Sequence, residues 1–180
     1  MKRKLLPIIS LFLILAVTMI SCQEELLSID IPVKNQTIVF DVEPASKSAE
    51  NSPKVKEVLY NGIIYINIAQ AMEAQNVSFE QLKSFLLTQG TLEEEIPAGY
   101  DMSKFIGAEL YFDNMDSLSN LVARADIVEG SKLRFTIVNG ELLDQLQNDQ
   151  LHVIFVGIRP SVPLRLKLEM DFMANFRLIR

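Results

Sequence analysis

Two side chains occur once each in this sequence, and each could carry chemistry. Cys22 is the only cysteine, and its thiolate could act as a nucleophile, a metal ligand or an acceptor of acyl groups. His152 is the only histidine and could act as a general base if a second group oriented its ring. Because His152 lies in an apolar run with no identifiable partner, we expect a structural role for it. One cysteine and one histidine cannot form a Cys/His zinc site.

Acidic residues gather at two places that could also do chemistry. Glu93, Glu94 and Glu95 could supply carboxylates for calcium or for glycosidic acid–base chemistry, but such a run is also typical of a solvated strand. Asp113 to Asp116 lacks the ligand spacing and the glycine of an EF-hand loop. The sequence has no Gly-rich phosphate loop, nucleophile elbow or Ser-x-x-Lys motif. We therefore predict no catalytic residue, no metal and no cofactor.

Cys22 ends a leader with three zones. Lys2, Arg3 and Lys4 give it a positive start, and Leu5 to Ile20 is an apolar run. A membrane-spanning helix needs roughly 20 apolar residues, so this shorter run is typical of a secretory signal peptide. A membrane anchor that stays in the protein is the alternative, but no basic cluster follows the run.

The residues around Cys22 resemble the lipobox of bacterial lipoproteins. In Met19-Ile20-Ser21-Cys22, a small residue precedes the cysteine, although Met19 stands where leucine is usual and Ile20 where a small residue is usual. The resemblance implies removal of residues 1–21 and acylation of Cys22. Gln23, Glu24 and Glu25 are similar to the acidic export signal of Bacteroidota-type surface lipoproteins. We expect a tether over residues 22–28 that anchors the protein in outer-membrane lipid at the cell surface, with the periplasmic face as the alternative.

The chain that follows the leader is strongly acidic. It carries 14 basic residues against 23 acidic ones, a net charge of −9. Nucleic-acid binding requires clustered lysine and arginine, so we expect no nucleic-acid partner. Attachment to the membrane must come from the acyl chains, at about 0.8 kcal/mol for each buried CH₂ group.

Residues 29–180 have the pattern of a single, mainly β domain. Leu164 to Leu178 alternates apolar and polar residues, as in a strand with one buried face. Because this run exceeds the usual strand length, we expect a bulge or a bend in it. Six to nine strands predict an antiparallel β-sandwich, immunoglobulin-like or jelly-roll-like, with one or two short helices. The other strands are predicted at Thr37 to Val42, Ala108 to Phe112, Leu121 to Ala125, Leu133 to Val138 and Leu151 to Ile158.

Two connections have clear local signals. Glu43 to Lys54 is polar with two prolines, which predicts a mobile loop. Asn61-Gly62 lies between two β-rich runs, which predicts a tight hairpin turn.

Three further segments could be helical. Ile68 to Gln75 is rich in helix formers. Ser78 and Gln81 form a capping-box pattern that favours a second helix ending near Gly90, and the alternative is that Ser84 to Glu95 is extended. Glu141 to Gln147 could form one or two helical turns.

Two loop residues are candidates for surface contacts. Asp116-Ser117-Leu118 is similar to the sites that Bacteroidota-type organisms O-glycosylate, which makes Ser117 a candidate for modification. Tyr100 is the tyrosine that we expect to be free to contact a ligand, since the other three lie in predicted strands. We therefore expect a non-enzymatic binding or structural module with a protein or glycan partner, accessory to a nutrient-uptake or adhesive assembly. The alternative is a small glycan-binding module or a hydrolase with its site on the loops.

Overall fold

A computed structural model describes residues 27–45 and 55–178. These residues form a mainly β domain, as predicted, with one α-helix, α1, at Ile68–Gln75. Single 3-10 turns cover Phe79–Gln81, Met102–Phe105 and Leu118–Asn120. The strands are β1 (Ser28–Val42), β2 (Lys56–Tyr65), β3 (Leu82–Ile96), β4 (Glu109–Phe112), β5 (Leu121–Glu129), β6 (Lys132–Ile137), β7 (Gln150–Ile158) and β8 (Leu164–Arg177).

The eight strands form one antiparallel sheet in the order β1-β8-β3-β6-β5-β4-β7-β2. The sheet curls so that its two edge strands, β1 and β2, come close together. Strands β1, β8, β3 and β6 then form one wall, and β5, β4, β7 and β2 form the wall that faces it. Most successive strands cross from one wall to the other, as in a jelly roll. Of the two sandwich types expected, the observed one is therefore jelly-roll-like.

Strand β8 confirms the predicted alternation. Its even-numbered residues from Leu164 to Phe176 are buried, and its odd-numbered residues are exposed or half-buried. The expected bulge lies in the partner strands rather than in β8. Strand β1 gains an extra residue between Val33 and Gln36, where Asn35 has a φ of 57°. The register between β3 and β8 shifts three times, each time by an extra residue in β3.

The predicted hairpin at Asn61-Gly62 is wrong. Strand β2 runs through both residues, and neither has a positive φ. A Cβ atom on Gly62 would lie 2.4 Å from the Tyr60 hydroxyl oxygen, so the glycine makes room for the Tyr60 ring. That ring packs against Phe40, with ring centroids 4.8 Å apart. Gly62 therefore serves a close approach rather than a turn.

A tight turn forms instead at Asn148 and Asp149, which have φ values of 48° and 63°. Two reciprocal backbone hydrogen bonds of 2.9 Å join Gln147 and Gln150 on either side of the turn. Positive φ at both central residues is the mark of a type I′ turn. Asparagine and aspartate tolerate this conformation better than other non-glycine residues do.

Helix α1 is confirmed, and the favoured second helix is wrong. Asn76 follows the last residue of helix α1 as its C-cap and adopts the left-handed conformation with a φ of 53°. The capping box is present, since the Ser78 backbone N–H donates to Gln81 Oε1 at 2.8 Å. It caps only the 3-10 turn, however, and the chain from Leu82 onward is strand β3. The extended alternative is therefore correct.

The remaining predicted segments agree in part with the structure. Between Glu141 and Gln147 the chain makes one hydrogen-bonded turn, from the Leu146 N–H to the Leu142 carbonyl, and buries both leucines. Of the predicted loop 43–54, residues 46–54 lie outside the described residues. The preceding Ala45 is held by a hydrogen bond of 2.8 Å from its N–H to the Pro160 carbonyl. Within residues 27–45 and 55–178, no helix is long and apolar enough to cross a bilayer.

Candidate functional site

The residues predicted to carry the lipid anchor lie outside the described part of the chain. Cys22 and the export-signal residues Gln23, Glu24 and Glu25 precede Leu27, the first described residue. Acylation of Cys22 and export by the acidic signal therefore stay predictions.

Tyr100 is not the free ring that the sequence predicted. Its ring lies 5.9 Å from that of buried Phe105, centroid to centroid, and the Lys104 ammonium lies 5.2 Å from the Tyr100 centroid. Burial, followed by the nearby Asp101 carboxylate, raises the pKa of the Tyr100 hydroxyl. The Tyr100 ring therefore contacts both Phe105 and Lys104 within the protein. The Tyr100 ring is half-buried rather than exposed. Contact between Tyr100 and a ligand stays a prediction.

Ser117 occupies the predicted loop position. It is exposed, between β4 and β5, and its carbonyl accepts a hydrogen bond of 3.1 Å from the Asn120 N–H. Modification of Ser117 stays a prediction.

The carboxylate run in β3 is largely engaged in structural contacts. Glu93 contacts the ammonium of Lys167 and that of Lys132, the latter at 2.9 Å. The hydrogen bond from Lys167, followed by that from Lys132, lowers the pKa of Glu93. Glu94 Oε1 accepts a hydrogen bond of 3.2 Å from the Gly99 N–H. No group of three or more potential metal ligands occurs in the part of the chain that the structure describes.

A second structural carboxylate lies on the wall that contains β4 and β7. Glu109 accepts from Lys56 at 2.9 Å, from Arg124 at 3.1 Å and from the Tyr111 hydroxyl at 3.2 Å. Burial would raise the pKa of Glu109, but these partners, with Lys56 first among them, outweigh that effect and lower it. Glu109 thus holds three strands together.

The same wall carries a small pocket, which we call the His152 pocket, and most of its lining residues are polar. It has a volume of about 90 Å³. Strands β7 and β2, the start of the β4–β5 loop and the segment before β7 contribute to it. Its walls are formed by Ile63, Asp113, Gln145, Gln147, Gln150 and His152.

Two hydrogen bonds fix the ring of His152. Its Nδ1 lies 2.6 Å from the carbonyl oxygen of Asp113, and its Nε2 lies 2.6 Å from the Asn61 amide oxygen. A carbonyl oxygen only accepts, so Nδ1 carries a proton. In the neutral ring Nε2 accepts, so the Asn61 amide presents its NH₂ group to it.

Backbone conformation sets the pocket apart from the rest of the wall. Asp113 has a φ of 73° and presents its carbonyl to His152. The Asn148-Asp149 turn lies between Gln147 and Gln150, two of the pocket's side chains. Non-glycine residues with positive φ are uncommon, and such conformations cluster at binding and catalytic sites. The described residues include five non-glycine residues with positive φ, and three of them, Asp113, Asn148 and Asp149, adjoin this pocket.

Tyr65 lies across the strand pair from Gln150, one of the residues that line the pocket, a position that sequence reasoning missed. It is opposite Gln150 in the β2–β7 register, and Ile63 is opposite His152. Opposed residues of paired strands project to the same face, and diagonal neighbours lie about 7–8 Å apart. Tyr65 is 68 % exposed, and the other three tyrosines are half-buried. The alternation of buried Ile64 and Ile66 around Tyr65 was the signal that could have revealed this.

Comparisons with known proteins give little further information. No known protein family matches the chain, and no curated protein matches it. Among solved structures, a decameric BFDV capsid protein is similar over 84 % of this chain and 99 % of its own, with 9 % sequence identity and a TM-score of 0.39. At that TM-score, the likeness carries no argument about function.

Proposed function

We propose that this protein is a lipid-anchored, non-enzymatic binding module of the outer membrane, exposed at the cell surface, and that its ligand site is the His152 pocket with Tyr65. The leader and the lipobox that ends at Cys22 support the anchor. The pocket supports the binding role, because a few polar groups converge on it beside the exposed ring of Tyr65. Such a module would serve as an accessory to a nutrient-uptake or adhesive assembly.

The chemistry of the pocket favours a saccharide. Three glutamines line it, and an amide both donates and accepts hydrogen bonds, as does a hydroxyl group. No lysine or arginine is among its lining residues, whereas Asp113 is. An anionic ligand such as a phosphate would therefore meet repulsion rather than a partner.

The exposed ring of Tyr65 is the observation that carries the proposal. A flat aromatic ring stacks on the apolar face of a pyranose, while polar groups beside it bind the hydroxyls. Tyr65 has the ring, and its cross-strand neighbour Gln150 has the polar group. A spacing of about 7–8 Å between diagonal neighbours suits one sugar ring lying between Tyr65 and His152.

The hydrogen bonds of His152 favour binding over turnover. A general base must reach the proton that it removes, and both nitrogens of this ring already have partners within the protein. The Asp113 carboxylate accepts from the Asn114 side-chain amide at 2.8 Å. These contacts hold the site in one geometry, which suits a ligand-binding surface.

A binding assay tests the site. The protein from Gln23 to Arg180, without leader and cysteine, is screened against a panel of oligosaccharides, and hits are measured by calorimetry. Loss of a stacking contact worth about 1.4 kcal/mol should make binding by Tyr65→Ala about ten-fold weaker. Tyr65→Phe keeps the ring and should bind like the unmodified protein. Unchanged affinity in Tyr65→Ala would refute this site.

Membrane fractionation tests the anchor. We expect Cys22→Ala to leave the outer-membrane fraction, since the acyl chains supply the attachment. Retention of that variant in the outer membrane would contradict acylation as the anchor. Protease treatment of intact cells then tests exposure, because a domain that resists digestion until the cells are broken lies on the periplasmic side.

A further inference from the structure

We infer that the membrane-facing surface of the domain is the end at which β1 begins, formed by Leu27, Phe79 and Leu178, and that this surface contacts the lipid. We call it the tether end. The inference rests on the proposed acylation of Cys22 and adds to it the orientation of the domain.

The point at which the tether joins the domain is fixed. The Leu178 N–H donates to the Leu27 carbonyl at 2.8 Å, which ties the start of β1 to the end of β8. Next to this bond, Ser28 pairs with Arg177, and Ile29 pairs with fully buried Phe176. Leu27 therefore cannot move away from the core without breaking the edge of the sheet.

The tether is short compared with the domain. Cys22 and Leu27 are five peptide units apart, and at about 3.8 Å each they span at most about 19 Å. Strand β1 has 15 residues, which at about 3.3 Å per residue make it about 50 Å long. Acylation of Cys22 therefore keeps the start of β1 close to the lipid. The turn at Gly130 and Ser131 lies toward the far end, because Lys132 pairs with Glu93 of β3, and Glu93 pairs with Lys167 near the start of β8.

The tether end has the surface that a lipid interface requires. Leu27, Phe79 and Leu178 are 47 %, 38 % and 36 % exposed, although all three are apolar. The Gln81 side-chain amide donates to the Arg177 carbonyl at 2.8 Å and so holds the Phe79–Gln81 turn beside the end of β8.

Basic side chains accompany these apolar ones. Arg177 ends β8, and Lys83 follows the Phe79–Gln81 turn, which also carries the acidic residue Glu80; all three side chains are exposed. Partly exposed apolar residues beside lysine and arginine are typical of surfaces that rest in a membrane interface. The tether length and this composition therefore favour contact of the tether end with lipid.

Fluorescence quenching in vesicles tests the orientation. Because the sulfur of acylated Cys22 does not react with thiol reagents, an introduced cysteine is the only labelling site. Glu80→Cys places a fluorophore at the tether end, and Ser131→Cys places one at the far end; both residues are exposed. The lipidated proteins are reconstituted into phosphatidylcholine vesicles whose headgroups carry a nitroxide quencher. We expect several-fold stronger quenching at position 80 than at position 131.

Failure of the lipid anchor can be distinguished from failure of the proposed orientation. The mass of the N-terminal peptide is measured first, and absence of acyl chains there would refute the anchor and the orientation together. Acylated protein with equal quenching at both positions, or stronger quenching at 131, would overturn the orientation alone.

Discussion

Phe85 and Phe172 stack face to face across the β3–β8 pair, with ring centroids 4.9 Å apart and planes 14° apart. Both rings are almost completely buried. The contact joins β3, whose sequence favoured a helix, to β8, which has the clearest alternation of apolar and polar residues in the chain. Such aromatic pairs contribute about 0.5–1.5 kcal/mol beyond the burial of their area. The pair therefore helps to hold β3 extended.

Truncation of Phe172 should remove much of the stability of the domain. We expect Phe172→Ala to lower the free energy of unfolding by about 3–5 kcal/mol, because it leaves a cavity against Phe85. Glu169, which is half-buried on the opposite face of β8, is the control, and Glu169→Ala should cost about 0.5 kcal/mol or less. Denaturant melts measure both values. Similar losses at the two positions would show that the outer face of β8 is as tightly packed as the inner one.

The sequence predicted those parts of the fold in which burial and local pattern agree. The alternation of β8 placed Phe172 on the buried face without any knowledge of its partners, because period 2 fits only an extended chain. In β3 the two signals conflict. Ser78 and Gln81 cap a helix correctly, but Phe85 and Leu87 gain more by burial from alternate positions of a strand than from two helical turns. Burial against β8, over 80 residues away in sequence, decided the outcome.

Gly62 gives a direct test of a close approach in β2. We expect Gly62→Ala to lower the free energy of unfolding by about 1–3 kcal/mol, since its Cβ would displace the Tyr60 ring from Phe40. In a Tyr60→Ala background the same substitution should cost much less. A double-mutant cycle measures this coupling. An equal penalty in both backgrounds would mean that the backbone at Gly62, rather than the Tyr60 ring, requires glycine.

The Glu93 carboxylate should make stability depend on pH. Its contact with Lys167, followed by that with Lys132, lowers its pKa from the ordinary value of 4.5. The stabilisation is therefore present above that value and is lost as the pH falls through the lower folded-state pKa. We expect Glu93→Gln to cost about 1 kcal/mol at neutral pH and nothing in strong acid.

Glu95→Gln is the matched control for Glu93, since Glu95 is an exposed neighbour on the same strand. Urea melts across the acidic range compare the two variants. A loss for Glu93→Gln that does not vary with pH would show that the side chain acts through packing.

The β4–β5 loop should be stable without calcium. Asn114 Oδ1 accepts from the Asp116 N–H at 3.0 Å and from the Asn120 side-chain amide at 2.9 Å, so its oxygen is already used within the loop. We expect Asn114→Ala to cost about 1–3 kcal/mol by leaving these donors unpaired. Asp116→Asn, which keeps the backbone N–H, should have little effect.

Thermal melts with added calcium, and then with EDTA, test the same loop for metal binding. We expect no change in melting temperature under either condition. A clear rise with calcium would contradict this account and would make the acidic residues from Asp113 onward a metal site.

The candidate site was harder to predict than the fold, because its residues come together only in the curled sheet. His152 and Asn61 are 91 positions apart, and the register of β2 with β7 brings them together. The false hairpin at Asn61-Gly62 hid that register. Tyr65 was placed in a predicted strand and was not considered as a ligand contact. By contrast, Tyr100 looked free because no sequence pattern shows that its ring contacts Phe105 and Lys104.

The central claim is that the His152 pocket binds a saccharide without converting it. The most direct measurement is an NMR titration of the protein from Gln23 to Arg180 with an oligosaccharide that binds, followed by chromatography of the recovered sugar. We expect saturable shifts centred on Tyr65, Gln150 and His152, with the oligosaccharide recovered intact. Shifts confined to another surface would contradict the site. Cleavage of the sugar that is lost in a folded His152→Ala variant would contradict the non-enzymatic account as a whole.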